Sequence, residues 1–231
     1  GLFKKRFHKK RFLRRIFHLR GHGGIKGALR CVWRRIREYR FVCKTDIKQY
    51  YASIFHETLL AQLHACAMPK SMIELVKSHL QRAIVKEGYY LDESEQGIAR
   101  GSPLSPILGA VYLHSLDQAY EERDVFYLRY MDDIIILTKN RHALRRAVVT
   151  LYKKIKSLHL TLSKDKTYIG KTSKEFSFLG YSLSTKQRTL RLAEKTIHHS
   201  AARILALYEQ GGRLARILEY LRHFLRWCFS G

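Results

Sequence analysis

The chain has 231 residues and a mass of 27.2 kDa, enough to bury a substantial core in one domain with appended segments. Its formal net charge of +25 favours a polyanionic partner. Nucleic acid is the simplest such partner, because lysine and arginine neutralise phosphates and release counterions. The four cysteines form no CxxC pair, which indicates reduced thiols in an intracellular protein. No apolar run reaches membrane-spanning length, so we expect no integral membrane association.

Residues 1–39 form a basic leader in which Glu38 is the only acidic residue. Apolar residues at near-helical spacing over 3–17 predict an amphipathic basic helix. The glycines within 21–24 end this pattern before a second predicted helix over 26–39. The leader could contact a nucleic-acid backbone, lie on an anionic membrane or serve as a targeting segment. We favour nucleic acid, since the rest of the chain already needs a polyanion.

Residues 40–192 alternate between strand and helix patterns. Helical spacing is found over four segments: 56–67, 71–83, 103–120 and 141–158. This alternation predicts an α+β fold in which helices cover one face of an antiparallel sheet. Residues 193–231 then predict two helices separated by Gly211 and Gly212. Their arginines and aromatic residues suit a short thumb-like segment on a duplex or, equally, a helical pair packed on the sheet.

Two adjacent aspartates, Asp132 and Asp133, lie in a turn between the apolar runs 126–128 and 134–137. Neighbouring carboxylates repel each other unless a cation offsets their charge, so the turn indicates metal binding. Asp46 ends another strand-like segment and fits the same site. Three aspartates from two strand ends can hold two divalent ions roughly 3.5–4 Å apart, the arrangement used in phosphoryl transfer.

Five segments in order carry a family resemblance: TDIKQYYASI, GIARGSPLSPILGAVYLHSLD, YLRYMDDIIIL, LTLSKDKTYIG and FSFLGYSLS. Together they resemble the consecutive palm motifs of bacterial reverse transcriptases, especially those similar to group II intron enzymes. The match covers residues 40–192. It implies a right-hand polymerase palm with a reduced, basic fingers segment over 1–39 and a thumb-like segment over 193–231.

The resemblance implies an RNA-directed DNA polymerase that extends a primer 3′-hydroxyl with deoxynucleoside triphosphates on an RNA template. Its partners would be the RNA template, a DNA or RNA primer and a cognate structured RNA, in the bacterial cytoplasm. Three alternatives stay open. The chain could be a catalytically weak, RNA-binding palm of a ribonucleoprotein; it could be an RNA-dependent RNA polymerase, which Tyr51 disfavours; or it could be a scaffold with a membrane-active leader.

The resemblance also assigns the metal and proton-transfer residues. Asp46, Asp132 and Asp133 would hold two Mg²⁺ ions, with Mn²⁺ as an alternative, and the Ile47 carbonyl would add an oxygen ligand. Lys166 resembles the lysine that protonates departing pyrophosphate as a general acid. Lys164 is its rival for this role, and a solvated turn lysine is the structural alternative.

Substrate contacts are implied at three further places. Tyr51 matches the bulky residue that lies under the sugar of the incoming nucleotide and excludes a 2′-hydroxyl, whereas Tyr50, on the opposite face of a strand, is predicted to be in the core. A nucleotide-binding loop is expected at Arg100, Gly101 and Ser102, although the family commonly has glutamine where this chain has Arg100. Primer-gripping contacts are expected from four consecutive residues: Phe178, Leu179, Gly180 and Tyr181. Packing alone would also explain those aromatic rings.

The predicted fingers segment is shorter than in the family, since only about 40 residues precede the first motif. Lys26, Arg30 or Arg34 could partly replace its basic residues. The chain begins with glycine, from which we expect a fragment or a processed product.

Overall fold

The computed structural model describes residues 16–19, 21–81, 84–86, 89–91, 95–121, 123–211 and 213–229. The amphipathic helix predicted over 3–17 therefore lies almost entirely outside the described residues. Within them, no helix has both the length and the apolar character needed to cross a membrane.

The helices and strands follow the predicted alternation. The helices are α1 (Gly24–Arg35), α2 (His56–Ala65), α3 (Lys70–Leu80), α4 (Ser105–Tyr112), α5 (His114–Gln118), α6 (Arg141–Ser157), α7 (Glu194–Glu209) and α8 (Leu214–Phe229). The strands are β1 (Phe41–Asp46), β2 (Ile84–Lys86), β3 (Tyr89–Leu91), β4 (Phe126–Tyr130), β5 (Asp133–Thr138), β6 (Tyr168–Lys171), β7 (Phe176–Phe178), β8 (Tyr181–Ser184) and β9 (Thr189–Leu192). Short 3₁₀ turns occupy Ile36–Glu38, Tyr50–Ser53 and Lys164–Lys166.

The central sheet has four strands in the order β4-β5-β1-β6, with every neighbouring pair antiparallel. A second sheet contains β7, β8 and β9, and β2 and β3 form a separate hairpin. The α+β palm fold predicted from the sequence is thereby confirmed.

A separate hydrophobic core lies against each face of the central sheet. On β5, Ile134 and Ile136 pack with α2 to α6, whereas Ile135 and Leu137 pack on the opposite face with α1 and the second sheet. All four side chains are fully buried, and burial of each stabilises the fold by about 1.5–3 kcal/mol. The uninterrupted apolar run 134–137 follows from this double burial, because alternate residues of a strand point to opposite faces.

Two helix predictions need correction. The long helix predicted over 103–120 is interrupted at Leu113, where the backbone leaves helical geometry, and α5 begins at His114. The helix predicted over 26–39 begins earlier, at Gly24, and its last turn tightens into the 3₁₀ turn Ile36–Glu38. Frayed or tightened ends of this kind depend on packing more than on apolar spacing.

The pair Tyr50 and Tyr51 lies in a 3₁₀ turn, so the prediction that they occupy opposite faces of a strand is wrong. β1 ends at Asp46, and Gln49, which adopts a left-handed conformation with φ of 48°, leads the chain into this turn. Tyr50 nevertheless belongs to the core, as predicted.

Candidate active site

The two turn aspartates lie at the tip of the β4–β5 hairpin. Tyr130 pairs with Asp133, so Met131 and Asp132 are the two central residues of the turn. Met131 has φ of 53°, as tight two-residue hairpin turns require at their first position. This conformation costs a residue other than glycine about 1–2 kcal/mol, so contacts with the surrounding structure must stabilise Met131 in it.

Asp46 reaches the same place from the neighbouring strand. It is the last residue of β1, and its Cα partner on β5 is Asp133. The turn is tied to β1 as well, since the Ile47 amide donates to the Asp132 carbonyl at 3.2 Å. The structure thus brings the three predicted aspartates to one end of the central sheet.

Lys166 lies against Asp46. Its ammonium nitrogen is 3.1 Å from both carboxylate oxygens, a charge-assisted contact that raises the pKa of the lysine. The Lys166 side chain is 56 % exposed, whereas that of Asp46 is 10 % exposed. The lysine can therefore swing into solvent without unpacking the core, while the carboxylate stays in place.

Burial and crowding raise the pKa values of the turn aspartates. Burial, followed by the charge of Asp132, raises the pKa of Asp133 from 3.8 to about 6. Burial and the charge of Asp46 raise the pKa of Asp132. Because the carboxyl of Asp133 has a higher pKa in the folded chain than in the unfolded chain, its ionisation opposes folding. That cost is absent below about pH 4 and complete above about pH 6, and a bound cation would relieve it.

A cleft of about 550 Å³ runs from these carboxylates to the β7–β8 turn and the start of α7. Phe178, Leu179 and Gly180 from the predicted primer grip line it. Phe178 and Tyr181 also belong to the second core, so packing accounts for both aromatic rings. The cleft joins the acidic cluster to the turn that carries Leu179 and Gly180.

A side chain of the protein itself, that of Trp227, packs closely against Gly180. Gly180 has φ of 80°, and a Cβ there would lie 3.0 Å from the ring of Trp227 in α8. The Gly180 carbonyl accepts hydrogen bonds from the Ala193 amide and the Thr196 hydroxyl, both at 3.0 Å. The glycine is thus required by packing of the C-terminal helix on the hairpin, whatever its contact with a primer.

Tyr51 faces the carboxylate end of the sheet. It is half-buried, and burial followed by the charge of Asp132 raises the pKa of its hydroxyl. Tyr50 is buried, and its hydroxyl donates to the Gly109 carbonyl at 2.5 Å. A Cβ at Gly109 would meet both tyrosine rings at 3.1–3.2 Å, so helix α4 fixes the position of the pair.

The predicted nucleotide loop lies next to Tyr51. The Ile98 amide donates to the Tyr51 carbonyl at 2.9 Å, and the charge of Arg100 lowers the pKa of Asp132 against the effect of burial. Gly101 turns the chain with φ of 88°. Ser102 places its hydroxyl 3.2 Å from a ring nitrogen of His79, beside a second cleft of about 780 Å³. The loop therefore connects the acidic cluster with this second cleft.

Comparison with known proteins identifies the family. The family model described as "Reverse transcriptase (RNA-dependent DNA polymerase)" matches residues 4–183. The chain belongs to the reverse transcriptase family. Group II intron-like character is a narrower assignment that this match does not make.

The curated relatives that the chain matches are distant. An uncharacterized 91 kDa protein in the cob intron of Schizosaccharomyces pombe is 31 % identical over 111 residues, which cover 46 % of this chain and 14 % of that protein. Protein YkfC of Escherichia coli is 24 % identical over 183 residues, or 64 % of this chain and 48 % of that protein. The chain thus spans less than half the length of these curated relatives.

Solved telomerase structures share the fold. Apo telomerase from Candida tropicalis, truncated at its C-terminal domain, superposes with a TM-score of 0.65 at 18 % identity, over 83 % of this chain and 44 % of that one. Telomerase from Candida albicans in complex with a TWJ fragment of telomeric RNA gives 0.62 at 14 % identity, over 98 % and 44 %. Likeness at this identity supports the fold alone.

Sequence reasoning missed Lys44 at this candidate site. It lies two residues before Asp46 on β1, hence on the same face of the strand. Its ammonium donates to the Lys166 carbonyl at 3.0 Å, and its charge lowers the pKa of Asp133 against burial. The two-residue spacing from Asp46 was the signal that could have revealed it.

A buried ion pair under the turn was also missed. Arg129 is fully buried, and its guanidinium contacts both carboxylate oxygens of Asp117 at 3.0 and 2.6 Å. It also donates to the Met131 carbonyl at 3.1 Å, while Tyr127 donates to Asp117 at 2.6 Å. Nothing in the sequence pairs Asp117 with Arg129, since they lie on a helix and a strand that meet only in the fold.

The side chains of the acidic cluster differ from a preformed metal site. Among the residues that the structure describes, no three histidine, cysteine, aspartate or glutamate side chains are grouped closely enough to count as a metal site as they stand. The three aspartates still offer the hard oxygen donors that Mg²⁺ prefers, and their crowding favours a cation. Lys166 supplies that positive charge at Asp46 in this arrangement.

Proposed function

We propose that this chain is an RNA-directed DNA polymerase of the group II intron-like kind, which extends a primer 3′-hydroxyl with deoxynucleoside triphosphates on an RNA template. The observation that carries the proposal is the pairing of Asp46 with Asp133 beside Asp132, at the end of a cleft in a reverse transcriptase palm. The alternation of acidic and basic side chains there suits a reaction between a nucleophilic oxygen and a triphosphate.

Asp46, Asp132 and Asp133, with the Ile47 carbonyl, would hold two Mg²⁺ ions, or Mn²⁺ as an alternative. Such ions supply activation of the attacking oxygen and stabilisation of the leaving one. Lys166 must leave Asp46 for this carboxylate to bind a cation, and its exposure permits that movement. Once displaced, its ammonium can neutralise the triphosphate and give a proton to departing pyrophosphate.

Substrate contacts follow from the same arrangement. The cleft would receive the primer end against Leu179 and Gly180. Tyr51 would lie under the incoming sugar, and Arg100, with the loop residues Gly101 and Ser102, would contact the base or phosphates. The formal charge of +25 supports an RNA template and a cognate structured RNA as partners, in the bacterial cytoplasm.

The Lys166–Asp46 contact favours one second candidate, a palm that binds RNA in a ribonucleoprotein with little turnover. In that case the lysine would stay on the carboxylate and take the place of a cation. Both candidates predict tight RNA binding, and only the polymerase predicts divalent-ion-dependent extension.

Asp132→Asn is the direct test. We expect it to lower Mg²⁺-dependent extension of an oligo(dT) primer on poly(rA) by at least about 100-fold, because it neutralises one shared ligand. RNA affinity should be nearly unchanged, since the large basic surface remains. Extension is measured by gel and RNA binding by filter retention.

Asp124→Asn is the matched control, because the Asp124 side chain is 87 % exposed and lies away from the acidic cluster. It should extend primers like the wild type. Full activity of Asp132→Asn would remove Asp132 from the site. A wild-type protein that binds RNA but never extends a primer would replace the polymerase by the RNA-binding palm.

A further inference from the structure

Met131, the strained residue of the catalytic turn, is held by both of its backbone polar groups. Its amide donates to the Nδ1 atom of His18 at 3.1 Å, and its carbonyl accepts from the buried guanidinium of Arg129 at 3.1 Å. His18 comes from the leader, 113 residues away in sequence. The two contacts approach the same residue from different elements.

The hydrogen bonds of His18 fix the form of its ring. A backbone amide can only donate, so Nδ1 accepts and carries no proton. The proton of the neutral ring therefore lies on Nε2, which donates to the Pro106 carbonyl in helix α4 at 3.1 Å. Burial, followed by the charge of Arg129, lowers the pKa of His18 to about 4, so the ring is neutral at physiological pH.

The leader is anchored at this point. Ile16 is fully buried and forms a parallel bridge with Arg129, and the Phe17 amide donates to the Arg129 carbonyl at 3.4 Å. His18 thus leaves a fixed segment of backbone. Its ring also lies edge-on to the ring of Tyr130, with centroids 6.1 Å apart.

We propose that His18 is a positioning residue of the polymerase site, which holds the Met131 peptide and ties the aspartate turn to the start of α4. Met131 directly precedes Asp132, so its backbone angles set where that carboxylate lies. Helix α4 follows the predicted nucleotide loop, so the same ring couples the metal ligands to the nucleotide side of the site. This inference rests on the proposed function for its catalytic consequence.

Two amide variants separate the contacts of His18. In His18→Asn the side-chain oxygen can take the place of Nδ1 and accept from the Met131 amide. In His18→Gln the longer side chain reaches toward Pro106 and leaves the Met131 amide unpaired. We expect His18→Gln to lower kcat for primer extension by about 10- to 100-fold, as misplacement of reacting groups does, with the KM for deoxynucleotide little changed. His18→Asn should retain most of the wild-type kcat. The Mg²⁺ concentration for half-maximal activity should rise in His18→Gln alone.

Hydrogen exchange gives a readout independent of activity. Exchange of the Met131 amide, followed by mass spectrometry of peptides spanning 130–134, should accelerate by at least about tenfold in His18→Gln, the effect of losing one hydrogen bond. It should stay slow in His18→Asn. His142→Gln is the matched control, since His142 is exposed on α6, and it should match the wild type in both assays.

The outcomes separate this inference from the proposed function. Equal exchange and equal kcat in the wild type, His18→Asn and His18→Gln would overturn the positioning role. Equal losses in His18→Asn and His18→Gln would also overturn it, because the Met131 contact would then not be the cause. A wild type without extension activity would count against the polymerase, and the exchange comparison would still decide the role of His18.

Discussion

Adjacent tyrosines take different environments at the candidate site. Tyr50 is buried and hydrogen-bonded through its hydroxyl, whereas Tyr51 is half-buried, and burial followed by the charge of Asp132 raises the pKa of its hydroxyl. Their rings lie 5.4 Å apart and both pack on Gly109. The backbone turn therefore separates a tyrosine buried in the core from one that is only half-buried.

Tyr51→Ala tests the sugar gate. If the ring lies under the incoming sugar, its removal relieves a clash that only a 2′-hydroxyl suffers, so ribonucleotide incorporation should rise relative to deoxynucleotide incorporation. We expect the ratio to change by at least about tenfold, equivalent to about 1.4 kcal/mol. Single-nucleotide extension with each sugar type measures it.

Tyr50→Phe is the control for this experiment. It keeps the ring but removes the hydrogen bond to the Gly109 carbonyl, so it should cost about 0.5–1.5 kcal/mol of stability and leave sugar selectivity alone. Unchanged selectivity in a folded, active Tyr51→Ala protein would remove the gate and return the RNA polymerase alternative to consideration.

Among the elements, helix α8 packs on the β7–β8 hairpin beside the candidate active-site cleft. The Lys26 ammonium donates to the Tyr181 hydroxyl at 2.5 Å and to the Cys228 carbonyl at 2.7 Å, and it lies over the Trp227 ring. Trp227 in turn covers Gly180. The predicted thumb-like segment thus packs on the palm through its last turn. Packing of this kind was the alternative to a duplex contact for residues 193–231. Many side chains of α8 are nevertheless exposed.

Gly180→Ala tests this packing. The new Cβ would lie 3.0 Å from the Trp227 ring, and the backbone at this position is left-handed. Backbone strain alone should cost about 1–2 kcal/mol, so the contact with Trp227 should make the loss of stability larger than that. Gly211→Ala is the matched control, because Gly211 is also left-handed but has nothing within 4 Å of a Cβ. Urea unfolding gives the free energy of unfolding of each variant.

A Trp227→Ala background completes the comparison. There the Gly180→Ala cost should fall toward that of Gly211→Ala, since the closest crowding ring is gone and only the Thr196 hydroxyl, 3.3 Å from the new Cβ, is still tight. An equal cost of Gly180→Ala in both backgrounds would show that Trp227 does not crowd this position in solution.

At the scale of the whole molecule, the formal charge of +25 is the dominant feature. Eight of the lysines and arginines fall within residues 4–15, which lie outside the described residues. Residues 16–19 instead contact the palm, since Ile16 is buried and His18 accepts a hydrogen bond from the Met131 amide. Charge and structure can therefore be separated by changing 4–15 and keeping 16–19.

Replacing those eight cations with glutamine should weaken RNA binding and flatten its salt dependence. Each lost phosphate contact should reduce the slope of log K against log salt by about 0.7 on single-stranded RNA. Filter binding across a salt series measures the slope. An unchanged slope, together with lost binding to anionic vesicles, would favour the membrane interpretation of the leader.

The palm fold and the acidic cluster could be predicted because their signals are local. The turn aspartates stand between two apolar runs, and Asp46 ends a third, so each carboxylate is placed by its own strand. The order of the motifs then supplied the family. The predictions of one helix through Leu113 and of a strand at Tyr50 were wrong, because packing decided where these elements end.

The order of residues along the chain was enough to place the charges: three aspartates at strand ends, a basic leader and Lys166. Folding then set what surrounds each of them. It placed Lys44 beside Asp133, His18 and Arg129 on Met131, and Trp227 on Gly180. The physical reason is distance along the chain. Spacing within a strand or helix is written in neighbouring residues, whereas a contact across 113 residues exists only once both elements have packed on the same sheet.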